Sequence, residues 1–168
     1  ESLKTHNGKR RVHLTFDDGY TGFADHAAPL LKSYGFSASV YVVTDALVNN
    51  QRLPPYLGRA ALAHCKPGRV SFDSIGLEAE ISDRDSRLHA YARISTVLKT
   101  GSPLDTSNLI QELTALVPSN HWSEIHRMYS TDALIGWNAL RDLSQTGFTV
   151  GAHTRSHLSL SNDQSDQD

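Results

Sequence analysis

The sequence is short of several features, and each shortage excludes a class of protein. Its 168 residues include one cysteine, Cys65, so an intrachain disulfide framework is excluded. Lysine and arginine number 16 against 18 acidic residues, which leaves a net charge of −2 and no basic field for a nucleic acid. No apolar run approaches the ~20 residues of a membrane span. We therefore expect neither a nucleic-acid partner nor a transmembrane segment, while the compartment and the oligomeric state stay open.

Two adjacent carboxylates follow an apolar run near the beginning of the chain. Segment 11–16 alternates polar with apolar residues and is rich in β-branched and aromatic types, which predicts a strand that enters a core. Asp17 and Asp18 come directly after it, and the carboxyl ends of strands in α/β folds are where catalytic groups gather. Gly19 allows a tight turn or a positive φ at this point. The motif alone also fits an ordinary solvated turn.

Two histidines near the end of the chain also come after a predicted strand. Segment 147–152 contains glycines at both ends of a short apolar run and predicts a strand, and His153 follows it directly. His157 comes four positions later, so a helical turn or a loop would return it to the same side. Together with one carboxylate, two imidazoles make three protein ligands, the number that leaves an open position in a catalytic zinc site. The two motifs jointly predict a divalent-metal site for metal-assisted hydrolysis.

Segments 15–19 (TFDDG) and 153–157 (HTRSH) resemble the first two signature motifs of the polysaccharide deacetylases, the NodB-homology family of carbohydrate esterases. Segment 28–44 is similar to that family's first helix and second strand, and segment 137–148 is similar to the elements before its second motif. The resemblance implies an α/β fold, a partial and distorted (β/α) barrel in which parallel strands are flanked by helices. An inserted segment of helices and a hairpin would be added to it.

The resemblance also implies roles for individual residues. Asp17 would be the catalytic base, and a backbone N–H after the first motif, at Tyr20 or at its neighbour Gly19, would hold the oxyanion. The metal ligands would be Asp18, His153 and His157. Zn²⁺ is the favoured ion, and Co²⁺ or Ni²⁺ would suit the same ligands. The implied substrate is a glycan that carries N- or O-linked acetyl groups.

Two other functions stay open. The same ligands would serve a hydrolase of another small linear or cyclic amide. Alternatively, the chain is a catalytically incomplete module that binds a metal or a glycan. The family's later motifs supply an arginine that orients the base and a histidine that acts as general acid, and only residues 158–168 follow the second motif. We therefore expect one domain over 1–168 that resembles the opening portion of a deacetylase.

The long stretch between the motifs, 47–131, is expected to be an insertion within that domain. It predicts a helix from Pro54 to Cys65, a hairpin over 69–81, a helix through Lys99, and another over 106–116. A last helix is expected from about Thr131 to Gln145.

Three further residues have an ordinary and a functional interpretation. Trp122 lies between His121 and His126 and is interpreted as a core residue before a sugar-stacking platform. Cys65 is interpreted as a small packed hydrophobe before a nucleophile. Arg155 could line a cleft or lie on the surface, and the sequence favours neither.

Overall fold

A parallel three-stranded sheet brings the two motifs together. The computed structural model describes residues 12–159, and the sheet contains β1 (Leu14–Phe16), β2 (Ala38–Val42) and β5 (Thr149–Ala152). Strand β2 lies in the middle and pairs with both neighbours in parallel. Four of its five residues are buried, as expected for a strand that is covered on both faces. Because parallel strands end at the same edge, the residues that follow β1 and β5 meet there.

The helices are set by local signals at their first turns. Within residues 12–159 they are α1 (Ala28–Ser33), α2 (Thr44–Val48), α3 (Pro54–His64), α4 (Arg84–Thr100), α5 (Pro103–Ala115), α6 (Trp122–Met128) and α7 (Trp137–Gln145). A π-helical turn over Phe23–Ala27 precedes α1. Helices α3 and α5 begin at a proline, whose fixed φ suits the first helical position. Helix α4 begins with a capping box, in which the Asp83 carboxylate accepts from the N–H of Ser86 at 2.8 Å.

The segment between β2 and β5 contains the second sheet. Strands β3 (Gly68–Phe72) and β4 (Leu77–Ile81) are antiparallel and are joined by a 3₁₀ turn over Asp73–Ile75. Their apolar side chains pack with those of α3, α4 and α5 around Phe72 and Ile94. A different cluster, around Phe23, Val40 and Phe148, covers the parallel sheet. The insertion boundaries at 47 and 131 remain a prediction.

The structure confirms the mixed α/β class with parallel strands, and it corrects two element boundaries. Strand β1 begins at Leu14, and the expected start at Arg11 lies outside the described residues. Helix α7 begins at Trp137 rather than Thr131, because the intervening residues form a 3₁₀ turn and then a bridge between Leu134 and Tyr20. The partial barrel remains a prediction. None of the described helices has the length and hydropathy that a bilayer crossing requires.

Candidate functional site

The first motif forms a tight turn at the carboxyl end of β1. Asp18 and Gly19 both have positive φ, at 72° and 73°. A Cβ atom on Gly19 would lie 2.6 Å from Cγ1 of Val42 on the neighbouring strand. The backbone of the turn therefore packs directly on β2, and only glycine fits both the φ and the contact. This contact fixes the Asp18 backbone at the edge where the three strands end.

The second motif forms a loop that is fastened at both ends. The N–H of His153 donates to the carbonyl oxygen of Val42 at 2.8 Å and extends the β5–β2 pairing by one residue. Thr154 and His157 then take positive φ values of 59° and 69°. The Thr154 hydroxyl accepts from the N–H of His157 at 3.0 Å. A loop, rather than a helical turn, returns His157 to His153, so of the two routes that the spacing allowed the structure shows the loop.

Helix α2 holds this loop from outside. The N–H groups of Thr44 and Asp45 donate to the carbonyl oxygens of Thr154 and Arg155, at 3.3 and 3.0 Å. The Arg155 Nε also donates to both Asp45 carboxylate oxygens, at 3.0 and 3.2 Å. The Arg155 side chain is 54% exposed. Of the two alternatives for Arg155, the structure shows the surface one, with the side chain fastening the loop to α2.

The three expected metal ligands converge. The Nε2 atom of His157 lies 3.0 Å from Oδ1 of Asp18, and Nε2 of His153 lies 3.5 Å from the same oxygen. One ligand atom from each of the three residues lies within 4.8 Å of the others. Ligands that bind zinc tetrahedrally at 2.0–2.2 Å are separated by about 3.4 Å. The donor atoms therefore fit a shared divalent ion in both chemistry and spacing.

The charges around the cluster keep Asp18 ionised. The hydrogen bond with His157 lowers the pKa of Asp18; partial burial opposes this, and the charges of His157 and His153 add to the lowering. Burial, followed by the Asp18 charge, raises the pKa of Tyr20 well above its ordinary value, so its hydroxyl stays neutral. A carboxylate is the form of Asp18 that binds a metal. The Nδ1 atom of His157 is buried and has no hydrogen-bond partner within residues 12–159.

Asp17 lies outside this cluster and faces a cavity. Its side chain is exposed and lines a cavity of about 360 Å³ together with Tyr20 and Phe23. Within the described part of the chain, the Asp17 carboxylate makes no hydrogen bond or ion pair. The carboxylate is therefore accessible to a solvent molecule or a substrate in this cavity.

The expected oxyanion donors follow the acids directly. Tyr20 bridges to Leu134, but the hydrogen bonds of this bridge belong to the flanking residues: Ile135 donates to the Gly19 carbonyl oxygen and Thr21 donates to the Ala133 carbonyl oxygen. Within residues 12–159, neither the Gly19 N–H nor the Tyr20 N–H donates to a backbone carbonyl oxygen. Both donors are therefore free of backbone partners there.

Trp122 and Cys65 have structural roles. The Trp122 Nε1–H donates to the Thr114 carbonyl oxygen at 3.1 Å, and its ring lies against the His126 ring with centroids 5.4 Å apart. Cys65 is a free, buried cysteine.

Several residues that complete the site were missed by sequence reasoning. Thr154 and Asp45 hold the histidine loop, and Asp132 lines the cavity of Asp17 although it is far away in sequence. A threonine three positions before His157 is a local signal that could have revealed the first of them. The other two depend on tertiary packing and leave no short-range pattern.

Comparison with known proteins gives one match. A family model described as Polysaccharide deacetylase matches residues 4–168, nearly the whole chain. No curated protein and no solved structure matches the chain.

Proposed function

Since the chain belongs to the polysaccharide deacetylase family, we propose that it is a metal-dependent hydrolase that removes N- or O-linked acetyl groups from a carbohydrate polymer. The proposed metal ligands are Asp18, His153 and His157. The observation that carries this proposal is the convergence of these three side chains at the sheet edge. We also propose that the parallel strands belong to a partial (β/α) barrel with 47–131 inserted into it.

A bound divalent ion, for which Zn²⁺ is the favoured candidate, would supply Lewis-acid polarisation of an acyl carbonyl and a lowered pKa of water. The remaining work falls to side chains and backbone of this chain. Asp17 accepts a proton from the attacking water, since its carboxylate is exposed to the adjoining cavity. The N–H groups of Gly19 and Tyr20 donate to the oxygen on which negative charge develops. All of these groups lie within four consecutive residues, 17–20, and the positive φ of Asp18 and Gly19 forms the tight turn between them.

A noncatalytic metal- or glycan-binding module is the second candidate. It is favoured by the unpaired state of Asp17, because no arginine within residues 12–159 contacts this carboxylate to orient it. Hydrolysis of another linear or cyclic amide would use the same ligands and is separated from deacetylation by substrate alone.

Acetate release tests the proposal. The probes are an oligomer of N-acetylglucosamine and an O-acetylated xylan oligomer, each offered to protein treated with chelator and then to the same protein reloaded with Zn²⁺ or Co²⁺. We expect acetate from at least one glycan with reloaded protein and none after chelation. One ion bound per chain without acetate from either glycan would contradict a deacetylase. Turnover of simple amides in its place would identify an amidase.

A further inference from the structure

A second cavity lies between α3 and the segment that follows α6. Its volume is about 140 Å³. It is lined by Tyr56, Arg59, Ala60, Ala63, Tyr129 and Asp132. Helix α3 belongs to the stretch between the two motifs, so this cavity is built from a part of the chain that contains no element of the proposed metal centre.

The two cavities meet at one side chain. Asp132 lines this cavity and also the larger one that holds Asp17 and Tyr20. Asp132 is therefore shared between the cavity in which we propose that chemistry occurs and the second cavity. A molecule that extended beyond the first cavity past Asp132 would enter the second.

The aromatic wall of the second cavity is the ring of Tyr129, and contacts within the protein fix its position. Tyr129 is 37% exposed. Its hydroxyl lies 3.3 Å from His64 Nε2, and its carbonyl oxygen accepts from Arg52 Nη1 at 2.9 Å. Its ring meets the Tyr56 ring edge-on, with centroids 6.2 Å apart. A ring fixed in this way offers an apolar face at little cost in conformational entropy.

The two charged side chains of the cavity are available to a ligand. Within residues 12–159, neither the Arg59 guanidinium nor the Asp132 carboxylate makes a hydrogen bond or an ion pair. A guanidinium group offers only donors and a carboxylate offers only acceptors. Sugar hydroxyl groups do both, so a single ring can use the two side chains together. Because the two charges are opposite, the pair gives no net attraction for an ion and suits a neutral ligand.

We propose that this cavity binds one sugar ring of the substrate, adjacent to the ring that is deacetylated beside Asp17. The Tyr129 ring packs on the apolar face of the sugar, and Arg59 and Asp132 hydrogen-bond its hydroxyl groups. This inference rests on the proposed function, and it assigns part of the recognition of the polymer to Arg59, Tyr129 and Asp132. The stretch between the two motifs then serves to recognise glycan length.

Arg59→Met is the most informative variant, because Arg59 is exposed and lines only the second cavity. Arg141→Met, an exposed arginine on α7 that lines neither cavity, is the matched control. The probes are N-acetylglucosamine and its β-1,4-linked tetramer. Acetate release gives kcat and KM, and titration calorimetry gives tetramer affinity independently of turnover. Tyr129→Leu tests the aromatic wall separately, with a melting curve recorded for each variant.

We expect Arg59→Met to raise KM and Kd for the tetramer about tenfold, the effect of one lost hydrogen bond to a charged group, with kcat and monomer kinetics unchanged. Equal tetramer Kd in Arg59→Met, Tyr129→Leu and wild type would overturn the inference, as would a wild-type protein that does not bind the tetramer. Tetramer binding that both variants weaken, without acetate release by any protein, would support the cavity and refute the proposed hydrolase.

Discussion

Replacement of Gly19 by alanine tests whether the first motif is fixed by its contact with β2. The change has two costs. Alanine at a φ of 73° is in the left-handed region, which costs about 1–2 kcal/mol. Its Cβ would also lie 2.6 Å from Cγ1 of Val42, a β-branched side chain that is 7% exposed and has little freedom to move away. Overpacking of this kind costs about 1–3 kcal/mol. We expect a loss of about 2–5 kcal/mol in the free energy of unfolding.

Gly35→Ala provides the matched control. Gly35 has a φ of 70°, and nothing lies within 4 Å of a Cβ added there, so it reports the cost of the backbone conformation alone. Urea unfolding of both variants should show that Gly19→Ala loses about 1–3 kcal/mol more than Gly35→Ala. Val42→Ala removes the Cγ1 atom. The double variant should therefore lose less free energy of unfolding than the sum of the losses in the Gly19→Ala and Val42→Ala single variants.

The same contact connects stability with the proposed metal centre. Val42 accepts the hydrogen bond from the N–H of His153, so displacement of Val42 disturbs a proposed metal ligand that directly follows β5. Gly19→Ala should therefore weaken zinc affinity, while Gly35→Ala should leave it unchanged. Equal unfolding free energies for the two variants, together with unchanged zinc affinity in both, would refute this reasoning.

Three further predictions concern single side chains. Asp17→Asn should keep wild-type zinc affinity and lower kcat by about 10²–10⁴-fold, measured by acetate release and zinc titration on one preparation, and loss of zinc would contradict its role as base. Thr154→Ala should weaken zinc binding about fivefold, because the N–H of His157 loses an acceptor worth about 1 kcal/mol, while Thr154→Ser should retain it. The hydrogen bonds from the N–H and hydroxyl of Ser86 lower the pKa of Asp83. The ionised Asp83 therefore stabilises α4 fully above about pH 3.9, its pKa in the unfolded chain, and this stabilisation is lost as the pH falls through the lower pKa of the folded protein. Asp83→Asn should flatten this part of the profile of Tm against pH, and an unchanged profile would contradict the prediction.

The sequence predicts best where the signals are local. The hairpin around Asp73, the helix that begins at Pro54 and the capped helix α4 were each predicted from turn, proline and capping residues, and the structure places them within a few residues of those expectations. The start of α7 was wrong because the residues before it follow tertiary partners: Leu134 pairs with Tyr20, which no helical periodicity reveals.

For the candidate site too, the sequence predicts what local signals determine and does not predict what tertiary contacts determine. The sequence predicts that Asp18 and His153 meet, because each follows a parallel strand and such strands end at one edge. It does not predict how the histidine loop is held, because the contacts of Asp45 with Arg155 join residues that are 110 positions apart. It also does not reveal the cavity of Arg59, whose walls come from separate parts of the chain.

The central claim is that one divalent ion is shared by the carboxylate after β1 and the two imidazoles after β5. An anomalous difference map, recorded at the zinc edge from crystals of the protein grown with Zn²⁺, tests it most directly. We predict a single strong peak about 2.0–2.2 Å from a carboxylate oxygen of Asp18 and from Nε2 of both His153 and His157. A map without density among these side chains, or with its peak at another group, would contradict the account.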